Sequence, residues 1–79
     1  MAHQITLDQL PLGNEGTVVR VSGDKKIKRR LLDMGMVSGT PVMMKAVAPL
    51  GDPLEVIIKG YQLSLRKHEA NKILIEVAV

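Results

Sequence analysis

The sequence predicts a mainly β fold: a small antiparallel barrel, closed or nearly closed, with five short strands and one helix between the first and second. Three observations predict it. Short β-branched or apolar runs recur at close spacing, at residues 16–21, 41–47, 54–59, 61–65 and 73–79, and several short strands divided by turn signals point to a barrel or sandwich. Glycine and proline fall between those runs or at their first residue, marking turns and strand starts, and never in their interior. Only residues 24–34 place apolar side chains at helical period.

The elements follow in order. Thr6-Leu7-Asp8-Gln9 fits a capping box that opens one helical turn, stopped by Pro11 and Gly13. Leu7, Leu10 and Leu12 are expected to seal one end of the core. GTVVRV, residues 16–21, is the first strand, with Thr17, Val19 and Val21 on one face. Asp24 N-caps the helix, and Ile27, Leu31 and Met34 form its inward stripe. Gly35 then stands where the chain must turn left-handed, a conformation that only glycine adopts cheaply. Met36 and Val37 are expected to re-enter the core, and residues 37–40 to turn with Gly39 at positive φ.

PVMMKAV is the second strand, begun by a proline, as the first residue of a strand allows. Residues 48–53, APLGDP, are a hairpin connection in which Pro49 and Gly51 supply turn geometry and Asp52 bonds locally ahead of Pro53. LEVIIK is the third strand, with Leu54, Val56 and Ile58 inward; Gly60 permits a bend, and YQLSL is the fourth. RKHEAN, residues 66–71, is one helical turn. ILIEVAV is the last strand, with Ile73, Ile75, Val77 and Val79 inward.

Composition narrows the function. At 79 residues the chain has room for a single domain, 1–79. It has no cysteine, hence neither disulfide nor thiolate metal site. The N-terminus has no basic stretch leading into an apolar one, and no apolar run approaches the ~20 residues of a membrane span, so a cytoplasmic chain without membrane insertion is expected. One Tyr, no Phe and no Trp argue against an aromatic groove for proline-rich peptides and against base stacking. The net charge of +3 is modest for a nucleic-acid binder, and no nucleic-acid partner is expected. No phosphate-binding loop occurs and no serine pairs with a histidine in sequence, so the chain is read as noncatalytic.

Three stretches taken together carry a resemblance. Arg30-Leu31-x-x-Met34-Gly35-Met36-x-x-Gly39-x-x-Val42, then Ala48-Pro49-Leu50-Gly51-Asp52-Pro53, then Leu63-x-Leu65-Arg66-x-x-x-Ala70 resemble the FeoA family of ferrous-iron transport accessory proteins. The match runs from Leu7 through the last strand. The resemblance implies an SH3-like barrel related to the C-terminal domain of some metal-dependent repressors. It also implies a partner, a membrane ferrous-iron transporter with a cytoplasmic GTP-binding domain, which would recruit the chain to the inner face of the membrane. It carries over no catalytic residue and no cofactor.

The surface candidates follow from charge and pattern. Lys25, Lys26, Lys28, Arg29 and Arg30 put five cations in six positions. With Ile27, Leu31 and Met34 inward, Lys25, Lys28 and Arg29 face out around Leu32, an apolar anchor ringed by charge. The bland alternative is a solvated helix with Leu32 under a loop. Arg30 flanks the core stripe and is expected to hydrogen-bond loop carbonyls. Leu50, at a turn tip, is a second candidate contact. Met43, Ile57 and Leu74 point outward, either under neighbouring elements or as a weak self-association surface. For metal, the only adjoining pair is His68 and Glu69, short of the three or four converging ligands that a tight site needs. A metal-responsive regulatory domain is the competing reading.

Overall fold

The structure is a computed structural model that describes residues 2–78. Its elements in chain order are β1 (Ala2–Thr6), a 3-10 turn (Leu7–Gln9), β2 (Glu15–Val21), α1 (Lys25–Asp33), β3 (Pro41–Val47), β4 (Leu54–Ile58), β5 (Tyr61–Leu65), α2 (Lys67–Ala70) and β6 (Ile73–Ala78). The strands form one sheet in the order β1-β6-β2-β3-β4-β5, and every neighbouring pair is antiparallel. The mainly β class is as expected, but there are six strands, not five, and the sheet is open. Its edges are β1 and β5. Val79 lies outside the described residues.

The additional strand is β1. Its AHQIT sequence has no apolar alternation, and its first three residues are exposed. It exists because β6 offers a free edge: Ala2 stands opposite Ala78 and Thr6 opposite Leu74. Thr6 does not cap the turn that follows. Its hydroxyl donates to Asp8 Oδ1 at 2.5 Å instead.

Two bulges bend the sheet around its core. In β2 the register against β6 shifts between Val18 and Arg20. An extra residue there swaps faces, so Val18 and Val21 are buried, Val19 is half-buried and Thr17 is exposed, in place of the expected Thr17-Val19-Val21 face. In β3 the shift against β4 falls between Met44 and Ala46. The expected Leu54, Val56, Ile58, Ile73 and Ile75 are all buried, at most 3% exposed, and Val42, Met44 and Leu65 join them. Val77, expected inward, is only half-buried, because it lies near the end of β6. β4 stops at Ile58, not Lys59. Lys59 and Gly60 both have positive φ, 47° and 84°, the signature of a type I′ hairpin turn, whose twist matches the strands.

Leu7, Leu10 and Met36 join this core, as expected. Leu12 and Val37 do not, at 61% and 39% exposed. Leu12 follows Pro11 in a loop whose Gly13 N–H is spent on the Met44 carbonyl at 2.8 Å, which turns the preceding side chain outward. Val37 sits in the turn closed by Thr40 N–H on its own carbonyl at 3.1 Å.

Candidate functional site

The helix α1 is fixed at both ends before its outward face is considered. Asp24 Oδ1 accepts from the Ile27 N–H at 2.9 Å, as an N-cap should. At the other end Gly35, with φ 102°, donates its N–H to the Leu32 carbonyl at 3.0 Å, and Met36 donates to Leu31 at 3.1 Å. This pair of bonds is a Schellman motif, and the accompanying apolar contact is between buried Leu31 and Met36. The Tyr61 hydroxyl donates to the last-turn carbonyl of Met34 at 3.2 Å. A Cβ on Gly35 would lie 3.2 Å from both Ile58 Cδ1 and the Tyr61 hydroxyl. Gly35 is thus demanded by both dihedral and space.

Arg30 leaves the outward face. Its Nη1 pairs with Glu69 Oε2 at 2.9 Å, rather than with loop carbonyls as expected. Glu69 is 3% exposed, and its other oxygen accepts from the Arg66 N–H at 2.9 Å. That second bond is the glutamate half of a capping box at the start of α2. The spacing Arg66-x-x-Glu69 was the available signal for it. Glu69 is therefore a structural anchor: both its oxygens are engaged and it turns inward while His68 stays exposed. His68 instead shares a depression with Asp8 and Asp52. Asp52 Oδ1 takes the Lys67 N–H at 2.9 Å, fifteen residues on, not a local bond. Among the described residues no three His, Asp or Glu side chains come close enough to hold a metal ion.

Motif residues meet here. Arg30, Pro53, Leu65 and Arg66 line one depression with Ser64 and Glu69. The motif thus ties α1, the β3–β4 connection and α2 together. The connection itself is braced: Gly51 N–H donates to Ala48 at 2.7 Å and Ala48 N–H to Pro53 at 3.1 Å, and the Asp52–Pro53 peptide is cis. Pro49 precedes Leu50, which this turn holds out at 96% exposure.

The outward face of α1 assembles as the sequence suggested. Lys25, Lys28, Arg29 and Leu32 line a single depression, joined by Asp33, which sequence reasoning missed. All five come from one helix, so this is an open surface and not a cleft between elements. Leu32, 43% exposed, lies towards its C-terminal end. Leu50 is not among the lining residues. Of the outward apolar strand residues, Met43 and Ile57 stand directly opposite each other, while Leu74 pairs with Arg20 and Thr6 away from them. Met43 and Ile57 are half-buried.

The charges on α1 work against its own stability. Lys25 and Lys26 occupy the first turn with no acidic residue there, where the helix dipole favours anions by roughly 0.3–1 kcal/mol each. Local rules broken in this way are expected at functional sites.

Fold and face together define a small antiparallel β module that presents a charged helix surface. The model of the FeoA domain family matches residues 5–77, and the chain belongs to that family. A curated relative, the Fe(2+) transport protein A/Fe(2+) transporter FeoB fusion protein of Porphyromonas gingivalis, is 38% identical over 71 residues, which are 90% of this chain and 8% of that protein. The chain thus spans a small fraction of that relative's length. The solution structure of an FeoA-like protein from Clostridium acetobutylicum superposes with a TM-score of 0.90 at 38% identity, covering 100% of this chain and 92% of the other. The zinc complex of Stenotrophomonas maltophilia FeoA, described as a prokaryotic SH3 domain protein, superposes with a TM-score of 0.79 at 35% identity over 90% of this chain and 88% of the other. The SH3-like fold expected from the resemblance is therefore the one observed. A manganese-dependent transcriptional repressor shares the fold at 21% identity and a TM-score of 0.86, over 100% of this chain and 44% of that one.

Proposed function

We propose that this chain is a noncatalytic accessory module of ferrous-iron transport that binds the cytoplasmic side of a membrane transporter carrying a GTP-binding domain. The observation that carries the reading is the relative in which such a segment is joined to FeoB in one polypeptide. A covalent joint of this kind holds two parts at high effective concentration, which is useful when the parts act on one another. No helix among the described residues is long and apolar enough to cross a membrane, so recruitment would rest on the partner. The contact would be made by Lys25, Lys28, Arg29 and Leu32, with Leu50 as a second apolar point.

Titrating the purified chain into the solubilised full-length transporter, with and without GTP, tests this. Saturable binding that changes with nucleotide is expected. A folded chain that binds in neither state overturns the reading. The triple variant K25E/K28E/R29E should bind about tenfold more weakly, as loss of several interfacial charge pairs implies. Its fold should survive, because Lys25→Glu places an acid in the first turn, where the helix dipole favours it.

The zinc complex of the Stenotrophomonas relative favours a second reading, a metal-responsive regulatory domain. Titration calorimetry with Fe(II) and Mn(II) separates the two: micromolar one-to-one binding supports the second reading, and heats of dilution alone support the first.

A further inference from the structure

Resting on that reading, we infer that the outward face of α1 receives an acidic protein segment carrying an apolar residue. The segment's carboxylates would sit over Lys25, Lys28 and Arg29, and its apolar residue would seat on Leu32.

The charge state of the face points to this partner. Among the described residues, the ion pair within 4.0 Å is Arg30 with Glu69; Lys25, Lys28 and Arg29 have no carboxylate within that distance, and the one acidic residue of the depression is Asp33 against three cations. All three are exposed. Lys25 also stands at the positive end of the helix dipole. An incoming carboxylate there meets a side-chain cation near the positive end of the helix dipole, beside the Asp24 cap that holds the Ile27 N–H. The same placement that costs the free helix stability therefore favours an anionic partner.

Shape points the same way. Leu32 lies one turn beyond Lys28 and Arg29 on the same helix face, an apolar anchor with a basic rim on its N-terminal side and Asp33 beside it. The depression is lined by one helix alone, too open to bury a small ligand, which takes a concave site. A helix or extended strand laid along α1 covers it fully. Asp33 at its edge separates protein from lipid. An anionic bilayer presents a continuous negative plane, which would repel that carboxylate. A protein segment can place its carboxylates over the cations and leave Asp33 clear.

The test uses the full chain and three probes. The first is a fluorescent synthetic amphipathic peptide with glutamates flanking a central leucine. The second is its glutamine-for-glutamate analogue, and the third is vesicles of phosphatidylglycerol and phosphatidylethanolamine. The glutamate peptide should bind saturably, weaken as salt rises, and compete with the transporter. The glutamine analogue, and the glutamate peptide on K25E/K28E/R29E or Leu32→Ala, should bind about tenfold more weakly, the scale expected of lost charge pairs and a lost anchor. Equal binding of the two peptides, or none of either, overturns the inference. Vesicle binding without peptide binding overturns it in favour of a lipid surface. If the wild-type chain binds the transporter and the peptide never competes, the accessory reading stands and the acidic segment falls. If the wild-type chain does not bind the transporter at all, the accessory reading falls first.

Discussion

Replacing Gly35 by alanine separates two reasons for a glycine, provided that Gly39 is replaced in parallel. Both have positive φ, 102° at Gly35 and 91° at Gly39. An L-residue in that region costs about 1–2 kcal/mol, part of which is offset by about 0.4–1 kcal/mol from a stiffer unfolded chain. A methyl group added at Gly39 would find nothing within 4 Å, so Gly39→Ala should cost only the conformational remainder, about 1 kcal/mol. Gly35 adds contact. The new Cβ meets Ile58 Cδ1 and the Tyr61 hydroxyl at 3.2 Å, tight but against the ends of movable side chains. The tyrosine is 46% exposed and can swing out, giving up its 3.2 Å bond to the Met34 carbonyl, a loss of about 0.5–1.5 kcal/mol. Gly35→Ala should therefore destabilise by about 2 kcal/mol, against a total of roughly 4–12 kcal/mol for a chain of this size. With no tryptophan in the chain, urea unfolding followed by far-ultraviolet circular dichroism is the suitable assay. A Gly35→Ala cost no larger than that of Gly39→Ala would refute the contact, and two neutral variants would refute the conformational reasoning.

Two further outcomes follow from the packing. Glu69→Ala removes the bond to the Arg66 N–H and leaves Arg30 without its partner; because Arg30 is 66% exposed, its half is screened, and the expected loss is about 2 kcal/mol. A denaturation midpoint equal to wild type would show that Glu69 does not hold α1 to α2. Lys59→Asn should instead stabilise by about 0.5 kcal/mol, because Asn-Gly is the preferred pair for a type I′ turn whose first central residue already has φ 47°. A lower midpoint for that variant would contradict the turn assignment.

Part of this protein was settled by the sequence alone. The strands β3, β4, β5 and β6 announce themselves by apolar runs of strand length and by the turn residues between them. The helix announces itself by Asp24, by the Ile27-Leu31-Met34 stripe and by the glycine that ends it. The outward face of α1 was legible for the same reason: a helix has a fixed period, so naming its buried stripe names the opposite side. These signals act over a few residues, and the physics that reads them is local.

The tertiary structure decided the rest. The AHQIT segment becomes β1 only because β6 leaves an edge for it, and nothing in those five residues foretells a distant partner. The bulge beyond Val18 puts both Val18 and Val21 inward and leaves Val19 half-buried, since one extra residue moves every later side chain to the other face. Glu69 read as a surface neighbour of His68 until α2 turned it toward Arg30, and Asp52 caps Lys67 instead of its own turn. Carboxylates and backbone N–H groups find whichever partner the folded path brings within about 3 Å. That path is a property of the whole chain, so no short stretch of sequence contains it.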